Sequence, residues 1–160
     1  FLLSCAVFTL FCLGALAQIG VLPKNDVTLK DTTDDEFRVG DVWDYKTRKG
    51  EEQSRLTIVK IDNSPELGMI VHIGVDEVRF SNCHGVPEPK AVPHMPFARK
   101  AFEASVKRRV ATEQQLPDFQ PGYDEWKTAY SKKHAGIYVV SVADAVSVAE
   151  KTFRTGIGCE

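Results

Sequence analysis

Two kinds of hydrophobic periodicity meet at a proline-rich segment, residues 81–96. Before this segment apolar residues alternate with polar ones, which is typical of strands with one buried face. After it they recur at every third or fourth position, which is typical of helices that pack by one side. Because its four prolines prevent regular structure throughout, the segment is predicted to be a crossing loop. Strands followed by helices indicate an α+β domain.

The first half predicts an antiparallel meander of three strands. The first strand begins at Phe37, and the second and third cover 55–62 and 68–80 after short turns. The apolar phase of the second strand shifts between Ile58 and Val59, which predicts either a bulge or burial on both faces.

The second half predicts three helices and one more strand. The first helix follows an apolar stripe through 98–110, and the second has an aromatic face within 123–130. The β-rich segment 137–140 predicts a strand, and Ser141 is the expected N-cap of the last helix. We therefore expect a curled antiparallel sheet, made of the meander and one later strand, packed with three helices.

The start of the chain has the pattern of an export signal. Residues 1–17 carry no charge and end in Ala-Leu-Ala, the small-x-small pattern that a signal peptidase accepts. Cleavage is expected before Gln18, which predicts a periplasmic or extracellular protein; the alternative is an uncleaved membrane anchor. The expected divisions are a signal peptide 1–17, an N-terminal arm 18–35, a single domain 36–155 and a C-terminal tail 156–160.

Two of the four cysteines, Cys5 and Cys12, would leave with the signal. Cys83 and Cys159 then remain as an even pair in an oxidising compartment, which favours a disulfide. Such a bridge closes a loop of about 77 residues, worth about 4–5 kcal/mol in the chain-entropy model. The alternative is two free thiols, because Cys159 follows a glycine-containing tail.

Charge and motifs exclude several functions. Twenty basic and twenty-two acidic residues give a net charge of −2, so the chain lacks the basic footprint expected of a nucleic-acid binder. The basic stretch 99–109 is interrupted by Glu103, as on a solvated helix face. No GxSxG elbow or glycine-rich phosphate loop occurs. We predict no cofactor.

The histidines offer a weak metal pattern. Cys83-His84 and His94 share the proline-rich segment, and His72 lies on the preceding strand. Imidazole and thiolate are zinc ligands, but adjacent residues do not readily chelate one ion, and no CxxC, HxH or HExxH spacing is present. We predict no metal site, and we expect the side chain of His72 to be solvated.

Asp41 lies on the apolar face of the first strand, between Val39 and Trp43. A carboxylate buried there without donors would be costly. It could be a general base or a ligand-binding acid with a raised pKa. The favoured interpretation is structural: Gly40-Asp41 forms a turn or bulge, and the acid accepts backbone hydrogen bonds.

Four segments carry a resemblance to known sequences: 37–48 with its GDVWDYKTR strand, 54–58, the HMPF helix entry at 94–97, and 136–143. Together they resemble a family of small uncharacterised bacterial proteins. The resemblance covers residues 36–155. It implies a bacterial origin, and it implies no activity and no catalytic residue.

The pattern predicts an exported, non-catalytic binding domain, such as an inhibitor or immunity-type protein. Its partner would be another protein or an envelope component, and it would meet the membrane only through an uncleaved signal segment. Long loops on a rigid scaffold often carry recognition. The predicted recognition surface is the segment 81–97 with the start of the following helix, and its candidate binding residues are His84, His94, Met95 and Phe97.

The alternative function is a hydrolase, with or without a metal ion, built from His84, His94 and Asp41. Convergence of these three side chains in a concave pocket would favour the enzyme. Dispersed side chains would favour the binding domain.

Overall fold

A computed structural model describes residues 28–159. It contains a six-stranded, mostly antiparallel open sheet and three helices, which confirms the α+β prediction. The elements are β1 (Lys30–Asp31), β2 (Asp41–Tyr45), β3 (Leu56–Ser64), β4 (Gly68–Val75), β5 (Val92–Ala98), α1 (Arg99–Ser105), β6 (Val106–Thr112), α2 (Gln120–Ser131) and α3 (Val142–Gly156). The strand order is β5-β4-β3-β2-β6, and β1 pairs with β3 off this path.

The predicted meander is present as β2, β3 and β4. The register between β3 and β4 shifts between Ile58 and Lys60, so the phase change marks a bulge. Ile58 and Val59 are both buried, so both faces are covered at the same point. The third strand is shorter than predicted: it ends at Val75, and Glu77 adopts a left-handed φ of 48°, which belongs to a turn.

The loop prediction for 81–96 is wrong at its C-terminal end, because β5 begins at Val92. This strand contains Pro93 and Pro96, which an edge strand tolerates because only one of its sides needs a hydrogen-bonded ladder. Tyr138 forms a parallel bridge to the other side of β5, donating its N–H to the Pro96 carbonyl at 2.8 Å. The strand predicted at 137–140 is reduced to this bridge.

The helix predicted over 98–110 is also wrong beyond Ser105, where α1 ends and β6 begins. Two tertiary contacts turn the chain at this residue. The Ser105 carbonyl accepts the N–H of Lys46 at 3.0 Å, and its hydroxyl accepts the N–H of Val142 at 3.1 Å. Because 106–112 contains three β-branched residues, it completes the sheet as an edge strand on β2.

Helices cover both faces of the sheet. One face carries the main core, against which α1 and α3 pack, and the other carries a second cluster around α2. The second cluster consists of Ile70, Tyr123, Trp126 and Tyr130. Its three aromatic residues confirm the predicted aromatic face of α2. Ser141 caps α3 as predicted, since its side chain accepts the N–H of Asp144 at 3.1 Å.

The predicted disulfide is present: Cys83 and Cys159 are bonded, with 5.8 Å between their Cα atoms. The bond joins the segment after β4 to the residues that follow α3. The described part of the N-terminal arm belongs to the sheet, because it contains β1. Between residues 28 and 159, no helix is long and apolar enough to cross a membrane. The predicted signal peptide, 1–17, lies outside the described residues.

Candidate functional site

A polar cluster lies between the sheet and α2. Asp62 on β3, His72 on β4 and His94 on β5 come from three neighbouring strands. Asp62 is opposite Ile70, and His72 is opposite Pro96. Since residues two apart on a strand share a face, this register places all three polar side chains on the side that α2 covers.

These three side chains form a chain of contacts. Nε2 of His72 lies 3.3 Å from Oδ2 of Asp62, and Nδ1 of His72 lies 2.9 Å from Nε2 of His94. The two imidazole rings are stacked, with their centroids 5.1 Å apart. When Nε2 of His72 carries its proton towards the carboxylate, Nδ1 accepts the N–H of His94. The arrangement therefore satisfies both facing nitrogens with neutral rings.

Aromatic residues of α2 cover the cluster. The hydroxyl of Tyr123 donates to Oδ2 of Asp62 at 2.8 Å. The rings of Tyr123 and Trp126 meet the His72 ring edge to face, with centroids 5.2 and 4.9 Å away. His72 has no exposed surface. The expectation that it would be solvated is wrong, because α2 packs on this side of β4.

Gly122 makes the close approach of α2 possible. A Cβ atom added to this glycine would lie 2.9 Å from Cβ of His94, closer than real Cβ atoms come to one another. The contact involves the base of the histidine side chain, which cannot swing away. Only glycine therefore allows this part of α2 to lie directly against β5.

Burial shifts the pKa values of the cluster in a consistent way. Burial opposes ionisation of Asp62, but the neighbouring imidazole of His72, the hydrogen bond from Tyr123 and the nearby Lys60 ammonium outweigh it and hold the Asp62 pKa well below its usual range. Burial lowers the pKa of His72 although Asp62 opposes the change. Burial, with a smaller contribution from His72, lowers the pKa of His94 to about 4. At neutral pH the cluster is one carboxylate with two neutral imidazoles.

An open groove of about 440 Å³ lies beside this cluster. Tyr123 forms one wall, and two ammonium groups approach its ring: Nζ of Lys60 at 5.4 Å and Nζ of Lys127 at 5.7 Å from the centroid. Burial and the Asp62 carboxylate raise the pKa of Tyr123, so its hydroxyl keeps its proton. The apolar part of the lining comes from Leu29, Val39, Val59, Ile61 and Phe119.

The two lysines of the groove differ in their ionic contacts. Lys60 pairs with Asp31, and its Nζ lies 3.4 Å from Oδ1 of Asp62. Among residues 28–159, no carboxylate lies within 4 Å of the Lys127 ammonium. Its contact in this part of the chain is the cation–π contact with the ring of Tyr123. The groove is therefore mainly polar, with the Asp31–Lys60 pair on one part of its lining and, at Lys127, one cation that no described acid neutralises.

The predicted recognition residues are not brought together. Because their segment is a strand, alternation sends Met95 and Phe97 into the main core and His94 to the α2 side. His84 is exposed beside the disulfide. Met95 and Phe97 are buried, so the expectation that they form part of a recognition surface is wrong.

Asp41 has the structural role that the sequence favoured. Its carboxylate is buried and accepts hydrogen bonds from the N–H of Arg38 at 3.3 Å and the hydroxyl of Thr112 at 3.2 Å. The guanidinium of Arg109 lies 3.3 Å away. These contacts fasten the start of β2 to β6. Asp41, His84 and His94 therefore occupy three separate places.

One group of metal-ligating atoms occurs among the described residues: Cys83, His84 and Cys159, whose ligand atoms lie within 4.8 Å of one another. The two sulfur atoms are bonded to each other. A disulfide lacks the thiolate charge that binds zinc. In the oxidised protein the group is therefore a disulfide with a neighbouring imidazole.

Comparisons of this chain with protein-family models, with curated proteins and with solved structures find no match. The resemblance to small bacterial proteins stays a prediction. The function is therefore argued from the geometry of the described residues.

Proposed function

We propose that this chain is an exported, non-catalytic domain that binds an acidic segment of a protein partner in the groove between the N-terminal arm, β3 and α2. The observation that carries the proposal is the wall of the groove, where the ammonium groups of Lys60 and Lys127 lie 5.4 and 5.7 Å from the centroid of the Tyr123 ring. The ring itself is buried, so it holds the two ammonium groups by cation–π contact and leaves their charge for the partner to meet.

The charge and the apolar side chains of the groove indicate which kind of segment it can bind. A carboxylate of the partner would pair with Nζ of Lys127, the ammonium that lacks an acid among the described residues. A neighbouring apolar side chain would pack against Phe119 and Val39, which is exposed by 48% in the free protein. Both contacts are available in a short extended segment that carries an acidic residue beside an apolar one.

Export is supported by the Cys83–Cys159 bond, because disulfides persist mainly in oxidising compartments. The absence of charge and the Ala-Leu-Ala end of residues 1–17 point in the same direction. An inhibitor or immunity-type role fits a small domain that presents one groove and a covalently fastened tail.

The test is a charge reversal with a matched control. Lys127→Glu places a negative charge at the groove, whereas Lys151→Glu makes the same change at an exposed position of α3. The partner is captured from envelope extract by the wild-type domain, identified, and its affinity for each variant measured by calorimetry. Lys127→Glu should weaken binding at least tenfold, about 1.4 kcal/mol, and Lys151→Glu by less than about twofold. Equal affinities for both variants would contradict the proposal.

A further inference from the structure

The two sulfur atoms of the disulfide have unequal surroundings. Cys83 is exposed, in the segment after β4, whereas Cys159 is buried at the end of the described chain. A dissolved thiol therefore has freer access to Cys83 than to Cys159. Attack on the accessible sulfur makes the buried sulfur the leaving group.

Two groups are placed to stabilise negative charge on the leaving sulfur. The backbone N–H of Cys83 donates to Sγ of Cys159 at 2.9 Å. A ring nitrogen of His84 lies within 4.8 Å of both sulfurs. The ring also faces the tail, since a Cβ added to Gly158 would lie 3.9 Å from its Nε2. Hydrogen-bond donors and imidazolium groups stabilise a thiolate, and a better leaving thiolate speeds disulfide exchange.

We propose that the Cys83–Cys159 disulfide is a site of thiol–disulfide exchange with low-molecular-weight thiols. The sulfur of a thiolate RS⁻ attacks Sγ of Cys83 and forms a mixed disulfide there. The bond to Cys159 breaks, and its electron pair becomes the thiolate of Cys159. The backbone N–H of Cys83 and the imidazole of His84 hold this charge.

The exchange is reversible because the tail stays in place. The N–H of Cys159 donates to the Arg154 carbonyl at 2.8 Å, and that of Gly158 to the Thr155 carbonyl at 3.1 Å. These backbone bonds tie the tail to the last turn of α3 without involving either sulfur atom. The Cys159 thiolate therefore remains beside Cys83, where it can attack the mixed disulfide, expel RS⁻ and restore the original bond.

The test uses the folded protein and reduced glutathione. Samples are quenched at intervals by acid and alkylated, and mass spectrometry of the peptides locates the adduct. We expect glutathione on Cys83 and an alkylated thiol on Cys159 in the trapped intermediate. We expect His84→Gln to slow adduct formation about fivefold or more. The control His134→Gln, which replaces an exposed histidine elsewhere, should react at the wild-type rate.

The same reaction with reduced glutathione is run in denaturant, and it gives the reactivity of the two cysteines when the chain has no tertiary structure. There the two cysteines should react without preference, and His84→Gln should have no effect. Three results would overturn the proposal: an adduct mainly on Cys159, equal rates for wild type and His84→Gln in the folded protein, or a folded protein that forms no adduct while the unfolded chain reacts completely. Each outcome is read from the disulfide alone, independently of the groove.

Discussion

Acidification is predicted to weaken the contact between α2 and the sheet through the buried histidines. His94 carries a folded-state pKa of about 4, against about 6.5 for an unperturbed histidine. A group whose pKa is lower in the folded state contributes stability that is complete above its unfolded pKa and is lost as the pH falls towards its folded pKa. The loss therefore lies between about pH 6.5 and pH 4.

The size of the loss in the free energy of unfolding follows from the difference between the folded and unfolded pKa values of His94. Full protonation of His94 corresponds to at most about 3 kcal/mol, and the interval from pH 7 to pH 5 contains about 2 kcal/mol of it. Because the His94 ring is partly exposed, solvent screening reduces this to about 1–2 kcal/mol. His72, whose pKa is also lowered by burial, adds in the same direction. Asp62 acts at lower pH, since its pKa lies below the usual carboxylate range.

The assay is urea unfolding at pH 7 and pH 5, followed by the fluorescence of the two tryptophans, of which Trp126 lies in the contact between α2 and the sheet. The free energy of unfolding of the wild type should fall by about 1–2 kcal/mol more than that of His94→Gln over this interval. The exposed-site variant His134→Gln should show the wild-type slope. Equal losses in wild type and His94→Gln would contradict a role for His94, because the pH dependence would then arise from other groups.

Two further predictions concern packing. Phe97→Ala should lower the free energy of unfolding by about 3–5 kcal/mol in urea titrations, because Phe97 is fully buried in the main core; a loss below about 1 kcal/mol would contradict its placement. Gly122→Ala should lower the midpoint of thermal unfolding although alanine is the better helix former, since its Cβ would meet His94 at 2.9 Å. Gly136→Ala, which has open space around it, is the matched control and should be near neutral.

The sequence predicted the elements whose signals are local. Alternation defined the meander, and the three-to-four spacing of Tyr123 and Trp126 defined the face of α2. The N-cap Ser141 set the start of α3. These features depend on neighbouring residues, so a single chain is enough to detect them.

The elements that were missed depend on distant contacts. The helical pattern continues beyond Ser105, but the hydrogen bonds of Ser105 to Lys46 and Val142 end the helix there. No local pattern reveals these contacts. The prolines of β5 favoured a loop, because the sequence does not show that this segment lies at the edge of the sheet, where prolines are tolerated.

The candidate site was missed for the same reason. Alternation along the third predicted strand places His72 on the face opposite Val71 and Ile73, but the sequence did not show that α2 returns to cover that face. Asp62 was predicted as the last residue of the second strand, and its contacts come from His72 and from Tyr123, sixty-one residues away. The aromatic face of α2 needs a surface to pack against, and the alternation of β4 leaves its His72 face without a partner. Taken together, these two signals would have predicted that α2 packs on this face of the sheet.

The most direct test of the binding proposal is to map where the partner lies. A photo-crosslinking amino acid is placed at Gln120, which lines the groove, and in a separate variant at Val148, an exposed position of α3. After irradiation of the complex, we expect position 120 to form a covalent product with an acidic segment of the partner, and position 148 to form none. A covalent product from position 148, with none from position 120, would contradict binding in the groove.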